Sequence, residues 1–80
     1  MNKWFVYLVE CSDGSLYCGI STDVEKRVEK HNAPKGGAKY TRSRQPVTLK
    51  VFWEFENRSE ASKEEYRIKK LTREEKLKLI

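Results

Sequence analysis

Long hydrophobic runs are missing from this 80-residue chain: none approaches the roughly 20 apolar residues that span a bilayer, so no membrane partner is expected. The opening Met1-Asn2-Lys3-Trp4-Phe5 lacks a signal-peptide pattern, which makes the cytoplasm the expected location. Cysteine is scarce. Cys11 and Cys18 are too few for a disulfide framework, and there is no CxxC pair or Cys/His cluster of zinc spacing. Both lie in β-like apolar runs, where free, buried thiols are expected. Internal repeats and low-complexity segments are absent as well. The length leaves no room for a second core, so residues 1–80 are expected to form one domain. A hydrophobic content of 38% is enough for a compact core, which excludes global disorder.

The positive charge that is present is unevenly placed. Of a net charge of +5, residues 1–25 hold one Lys/Arg against four Asp/Glu, and residues 51–80 hold eight against seven. Residues 26–50 hold eight against a single Glu. A basic middle is what a phosphate-facing surface requires, and a solvated basic loop is the bland alternative.

Residues 4–11 read as a strand, Ser12-Asp13-Gly14-Ser15 as a turn, and residues 16–20 as a second strand, giving a hairpin. Thr22-x-x-Glu25 is a capping box that predicts a helix to about His31, ended by Asn32 and Pro34. Residues 33–46 have neither helical nor strand period, and a loop that long in so small a protein is usually functional or disordered. Residues 47–55 alternate into a third strand. Ser59 can cap a further helix through Leu71, and Thr72-x-x-Glu75 is a second capping box for a short terminal helix. The order ββαβαα implies an α+β domain with a small three-stranded antiparallel sheet flanked by helices.

Two helices carry polar residues where the core should be. With ~100° of rotation per residue, Arg27 and His31 fall on the stripe of Val24 and Val28, while Glu25, Lys26, Glu29 and Lys30 face away. His31 could be a satisfied core residue, yet an Arg–His pair also suits a phosphate, as a planar cationic fork beside a tunable proton carrier. On the later helix, Glu64 and Glu65 lie within or beside the Ala61, Ile68 and Leu71 stripe. A carboxylate there needs either an ion-pair partner or a cation, and Mg²⁺ or Mn²⁺ would take it as a hard oxygen ligand. Periodicity does not choose between the two glutamates. The hairpin adds Tyr7, Tyr17 and Gly19, and a glycine inside a strand suggests a bulge or a close approach.

Together these residues resemble the GIY-YIG nuclease family over nearly the whole chain. Its half-motifs appear as Val6-Tyr7-Leu8 and Tyr17-Cys18-Gly19, keeping the tyrosines and the final glycine without the first glycine and the two isoleucines. Arg27, His31 and a helical glutamate follow in the family's order, and Gly37 to Pro46 is similar to the basic loop of small stand-alone members. Those members are similar to the catalytic part of nucleases that trim branched DNA. The resemblance implies a metal-dependent endonuclease acting on DNA, in repair or recombination, with one Mg²⁺ or Mn²⁺. It leaves room for a protein partner that supplies substrate choice. By position it makes Tyr7 the general base or water-orienting phenol, Tyr17 a second phenol near the phosphate, and His31 an assistant to Tyr7 or to the phosphate. Arg27 would stabilise the phosphorane, and Glu65 is preferred over Glu64 as the metal ligand. A non-catalytic nucleic-acid-binding module of the same fold is the alternative. In either case Lys35, Lys39, Arg42 and Arg44 are expected to contact phosphates, with Tyr40 available for stacking. Arg27, His31 and Glu65 are expected to converge on the Tyr7/Tyr17 face of the sheet.

That convergence requires a particular hairpin. A two-residue Asp13-Gly14 turn would send Tyr7 and Tyr17 to opposite faces of the sheet. A three-residue Ser12-Asp13-Gly14 loop with Gly14 left-handed would instead pair Tyr7 with Gly19 and Val9 with Tyr17. Tyr7, Tyr17 and Gly19 would then share one face, with room for a phosphate over Gly19. The odd loop is therefore expected despite the usual preference of Asp-Gly for a tight turn.

Overall fold

The computed structural model of the protein describes residues 3–34 and 38–80. Its elements run β1 (Trp4–Glu10), β2 (Leu16–Ser21), α1 (Val24–Asn32), α2 (Lys39–Arg42), β3 (Thr48–Phe55), α3 (Arg58–Lys69) and α4 (Arg73–Leu77). The three strands form one antiparallel sheet in the order β2-β1-β3, the α+β architecture expected from the sequence. β1 is apolar on consecutive positions because it is the central strand and is covered on both faces.

The two faces have separate cores. Val6, Leu8, Leu16 and Cys18 pack against Ala61 and Ile68 of α3. Tyr7, Val9 and Cys11 pack on the other side with Val24 of α1 and Val47. Fully burying side chains such as Leu8 and Ile68 contributes roughly 1.5–3 kcal/mol each, the main stabilisation available to a chain this short. Cys11 and Cys18 are free and buried.

The hairpin adopts the odd register. Tyr7 pairs with Gly19, Val9 with Tyr17, and Glu10 with Leu16. The Cys11 amide donates to the Ser15 carbonyl at 2.8 Å, the Gly14 amide to the Cys11 carbonyl at 2.9 Å, and Gly14 takes φ +83°. Only a residue tolerant of the left-handed region closes this three-residue loop without strain. The Asp13 carboxylate accepts from the Ser15 amide and hydroxyl at 3.0 and 2.6 Å, which fixes the turn from inside.

Some boundaries differ from the sequence reading. α1 is capped by Asp23, not Thr22: the Asp23 carboxylate accepts from the Lys26 amide at 3.1 Å while the Ser21 hydroxyl holds the Asp23 backbone. α3 is capped by Asn57, two residues before Ser59. The segment expected to be irregular contains α2, a single four-residue turn. The Thr72–Glu75 capping box forms as expected, with both reciprocal hydrogen bonds present.

Candidate active site

α1 lies on the Tyr7 face, and its stripe delivers His31 beneath the sheet with no exposed surface. Tyr7, 1% exposed, meets it: Tyr7 Oη is 2.8 Å from His31 Nε2. The opposite ring nitrogen, Nδ1, is 2.7 Å from Thr41 Oγ1, and Thr41 also has no exposed surface. Tyr17 flanks the pair, its ring centroid 6.5 Å from Tyr7 and 5.4 Å from His31. Two amide side chains secure this end of α1. Gln45 Nε2 donates to the Ala33 carbonyl at 2.6 Å and to the His31 carbonyl. The Asn32 amide clamps both backbone groups of Val47, at 2.6 and 3.1 Å.

Gly19 serves this arrangement differently from the expectation. The space above it is filled by the Tyr7 phenol, not left open for a phosphate: a Cβ on residue 19 would lie 2.6 Å from Tyr7 Cζ. The absent side chain lets the phenol lie flat across β2 and reach His31.

Burial dominates the electrostatics. It pushes the Tyr7 hydroxyl up to about 12, with the positive charge of the neighbouring Arg27 guanidinium opposing the shift. Burial and then the Arg27 charge push His31 down to about 4. Both groups are neutral at pH 7. An unfolded His31 near 6.5 binds a proton that the folded protein excludes, so its contribution to stability is complete above 6.5 and is lost as pH falls toward 4. A His31→Asn variant is expected to lose less stability than the parent between those limits, by up to about 3 kcal/mol, as read by denaturant melts at several pH values.

The basic segment arranges its charges unequally. Lys39 and Arg42 are exposed on α2. Arg44 is engaged: its Nε donates to Asp13 at 3.0 Å, its Nη1 to the Tyr40 carbonyl at 2.7 Å, and its guanidinium lies 4.0 Å from the Tyr40 ring centroid. Tyr40 in turn stacks on Tyr17 at 5.8 Å while staying 40% exposed. Arg44 thus ties the segment to the hairpin turn, where the Ser12 amide also donates to the Arg44 carbonyl at 2.9 Å. Lys35, expected to contact phosphates, lies outside the described residues.

Glu65 does not share the face of Tyr7. Its helix, α3, packs on the opposite side of the sheet, so the shared-stripe reasoning placed it on the wrong face. α3 instead borders the exposed edge formed by β2: Glu65 pairs with Lys69 at 3.3 Å, and Lys69 Nζ stands 5.8 Å from the Tyr17 ring. The two glutamates are also distinguishable. Both Glu64 oxygens are taken by the Arg67 fork, which holds that carboxyl below its usual range. Among the described residues, Glu65 has one oxygen paired with a single ammonium and the other without a protein partner. No group of three or more His, Cys, Asp or Glu able to hold a metal occurs among the described residues. One half-buried carboxylate is a hard donor that fits a weakly held Mg²⁺ completed by water and substrate oxygens, and it does not fit a closed zinc site.

Thr41, Gln45 and Lys69 were given no role of their own from the sequence, and Asn32 only that of ending its helix. Thr41, Gln45 and Asn32 carry no local signal, because each acts across an interval unrelated to helix or strand period, whereas Lys69 pairs with Glu65 at the ordinary i, i+4 helix spacing.

A tyrosine–histidine pair beneath a sheet, an arginine beside it and a single metal-suited carboxylate at the sheet's edge define a fold of nuclease type. The sequence profile of the GIY-YIG catalytic domain matches residues 3–78, and the protein belongs to that family. The chain is similar to a UPF0213 protein of Staphylococcus aureus, 56% identical over 80 residues that cover all of this chain and 96% of the relative. It is also similar to two solution NMR structures. One is a UPF0213 protein from Bacillus halodurans, at 47% identity and a TM-score of 0.61, covering 96% of this chain and 81% of that one. The other is a protein from E. faecalis, at 41% identity and a TM-score of 0.63, covering 99% and 88%. No helix among the described residues is long and apolar enough to cross a membrane.

Proposed function

We propose that the protein is a divalent-metal-dependent endonuclease that hydrolyses phosphodiester bonds in DNA, with branched or damaged DNA as its substrates in repair or recombination. The observation that carries this reading is the buried Tyr7–His31 hydrogen bond of 2.8 Å with Arg27 set against the phenol. A fold needing only to bind nucleic acid has no use for a desolvated proton-carrying pair beside a cation.

Hydrolysis needs a proton removed from the attacking water and charge stabilised on the phosphoryl oxygens. Tyr7 takes the water's proton as its own hydroxyl proton passes to His31 Nε2. The water oxygen forms its bond to phosphorus, the ester P–O bond breaks, and the departing oxygen takes a proton from solvent to leave as the alcohol. In the protein alone this relay is uphill: values of about 12 and about 4 separate the pair by on the order of 10 kcal/mol. The anionic phosphate favours the imidazolium, and Arg27 favours the phenolate and then the phosphorane. Glu65 would hold the metal, which when bound supplies Lewis-acid stabilisation of the phosphoryl oxygens. Arg27 also lines an open cleft of about 510 Å³ in which it, Lys26 and Lys30 outnumber the carboxylates of Asp23 and Glu29, cations that the flanking phosphates could use. Exposed Lys39 and Arg42 extend the positive surface, with Tyr40 stacked on Tyr17 between them and the pair.

The test is cleavage of a panel of branched, nicked and linear DNAs with and without Mg²⁺. Cleavage that requires Mg²⁺ and falls at least about a hundredfold in Glu65→Ala is the expected result. Salt-sensitive DNA binding without Mg²⁺-dependent cleavage of any substrate would assign the fold to a binding module instead.

A further inference from the structure

Thr41 and His31 are the buried polar residues of the described chain, and they touch each other. The contact can run in two directions, because each neutral imidazole tautomer donates at one nitrogen and accepts at the other. Hydrogen-bond accounting chooses between them. The Tyr7 hydroxyl is a buried phenol, and His31 Nε2 is its hydrogen-bonding partner among the described residues. A buried hydroxyl hydrogen without an acceptor costs about 1–3 kcal/mol, so Tyr7 donates and Nε2 accepts. The ring proton then sits on Nδ1 and donates to Thr41 Oγ1 at 2.7 Å. Thr41 passes its own hydrogen to the Ala38 carbonyl at 3.0 Å, completing the chain. The Ala38 amide is also aimed at Nδ1, in a long hydrogen bond of 3.4 Å that only the other tautomer could accept. It is the weaker claim, lying beyond the usual range of about 2.7–3.2 Å and at a partly exposed residue whose amide water can satisfy.

We propose that Thr41 is a positioning residue that fixes His31 in the Nδ1–H tautomer, so that Nε2 presents its lone pair to the Tyr7 hydroxyl. The kinetic part of this inference rests on the nuclease reading; the tautomer itself does not. Thr41 belongs to α2, between exposed Lys39 and Arg42. Seating the basic segment against the sheet and arming the histidine are therefore one structural event. A hydroxyl suffices because Oγ1 must accept from Nδ1 and donate to a carbonyl at once. Valine has the same shape and can do neither.

The chain's single histidine makes the test unambiguous. Long-range ¹H–¹⁵N spectra of the ¹⁵N-labelled protein at pH 7 read the tautomer directly. The parent protein should give the Nδ1–H pattern. Thr41→Val should shift the population toward Nε2–H, and Thr41→Ser should restore it. On the DNA substrate, Thr41→Val should lower kcat about 10- to 100-fold with KM within about twofold, and Thr41→Ser should recover most of the loss. The scale follows from tautomer control by a buried carboxylate in hydrolytic triads, which is stronger than a neutral hydroxyl can supply. An Nε2–H pattern in the parent protein overturns the proposal without any variant, so a Thr41→Val that fails to fold leaves it testable. An unchanged spectrum in a folded Thr41→Val also overturns it. If the parent cleaves no DNA, the nuclease reading fails while the spectra still decide the role of Thr41.

Discussion

Replacing Gly19 with alanine is expected to lower the cleavage rate by at least about a hundredfold while leaving DNA binding within a few-fold of the parent. The added methyl would meet Tyr7 at Cζ, 2.6 Å away, and come closer still to the hydroxyl oxygen. These are atoms of a ring clamped between the sheet and α1, so the phenol cannot yield at its tip alone. It must rotate off β2, and the 2.8 Å bond to His31 breaks with it. Overpacking should also cost about 1–3 kcal/mol of stability, visible as a lower Tm. Binding should survive because the exposed cations lie on α1 and α2, away from the methyl. Single-turnover cleavage, DNA affinity and a thermal melt on the same preparation separate these effects. A Gly19→Ala protein that cleaves at the parent rate would show that the phenol's position across β2 is irrelevant to the reaction.

Arg27 is expected to have an effect of similar size for a different reason. Its guanidinium favours the Tyr7 phenolate, which helps the relay, and opposes charge on His31, which hinders it, so its main gain is expected at the phosphorane whose charge it stabilises. Arg27→Met should reduce kcat by about 10²–10³, the scale seen when one preorganised donor is removed from a developing anion. Arg27→Lys should recover only part, since an ammonium keeps the charge but not the planar fork. Equal activity in the lysine and arginine proteins would reduce Arg27 to a point charge.

The sequence made the strands legible because β1 is apolar on successive positions and β3 alternates; that β1 is central and β3 an edge emerges only in the fold. The hairpin register was legible only through chemistry. Asp13-Gly14 favours a tight turn on local grounds, and requiring two tyrosines on one face selected the longer loop that forms. Helix starts were displaced because Thr22 and Asp23, or Asn57 and Ser59, are comparable caps; at α1 the choice falls to local bonds between Ser21 and the Asp23 backbone. α2 is shorter than any periodicity can register. Periodicity also reports that a stripe is buried, never which face of the sheet it meets, and Glu65 was placed opposite to its true side for that reason. The tie of Arg44 to Asp13 was not legible because the two lie 31 residues apart in sequence. Thr41 stayed invisible for a related reason: ten positions beyond His31, it joins the site only once the chain has folded.

The most direct test of the central claim, that Tyr7 is the proton-accepting group of a phosphodiester hydrolase, is single-turnover cleavage of the preferred DNA substrate in Mg²⁺ by the parent and Tyr7→Phe. Phenylalanine keeps the ring that packs over Gly19 and removes only the oxygen facing His31. The account predicts a fall of at least about 10³ in rate with DNA affinity unchanged. Cleavage by Tyr7→Phe within about tenfold of the parent would contradict it.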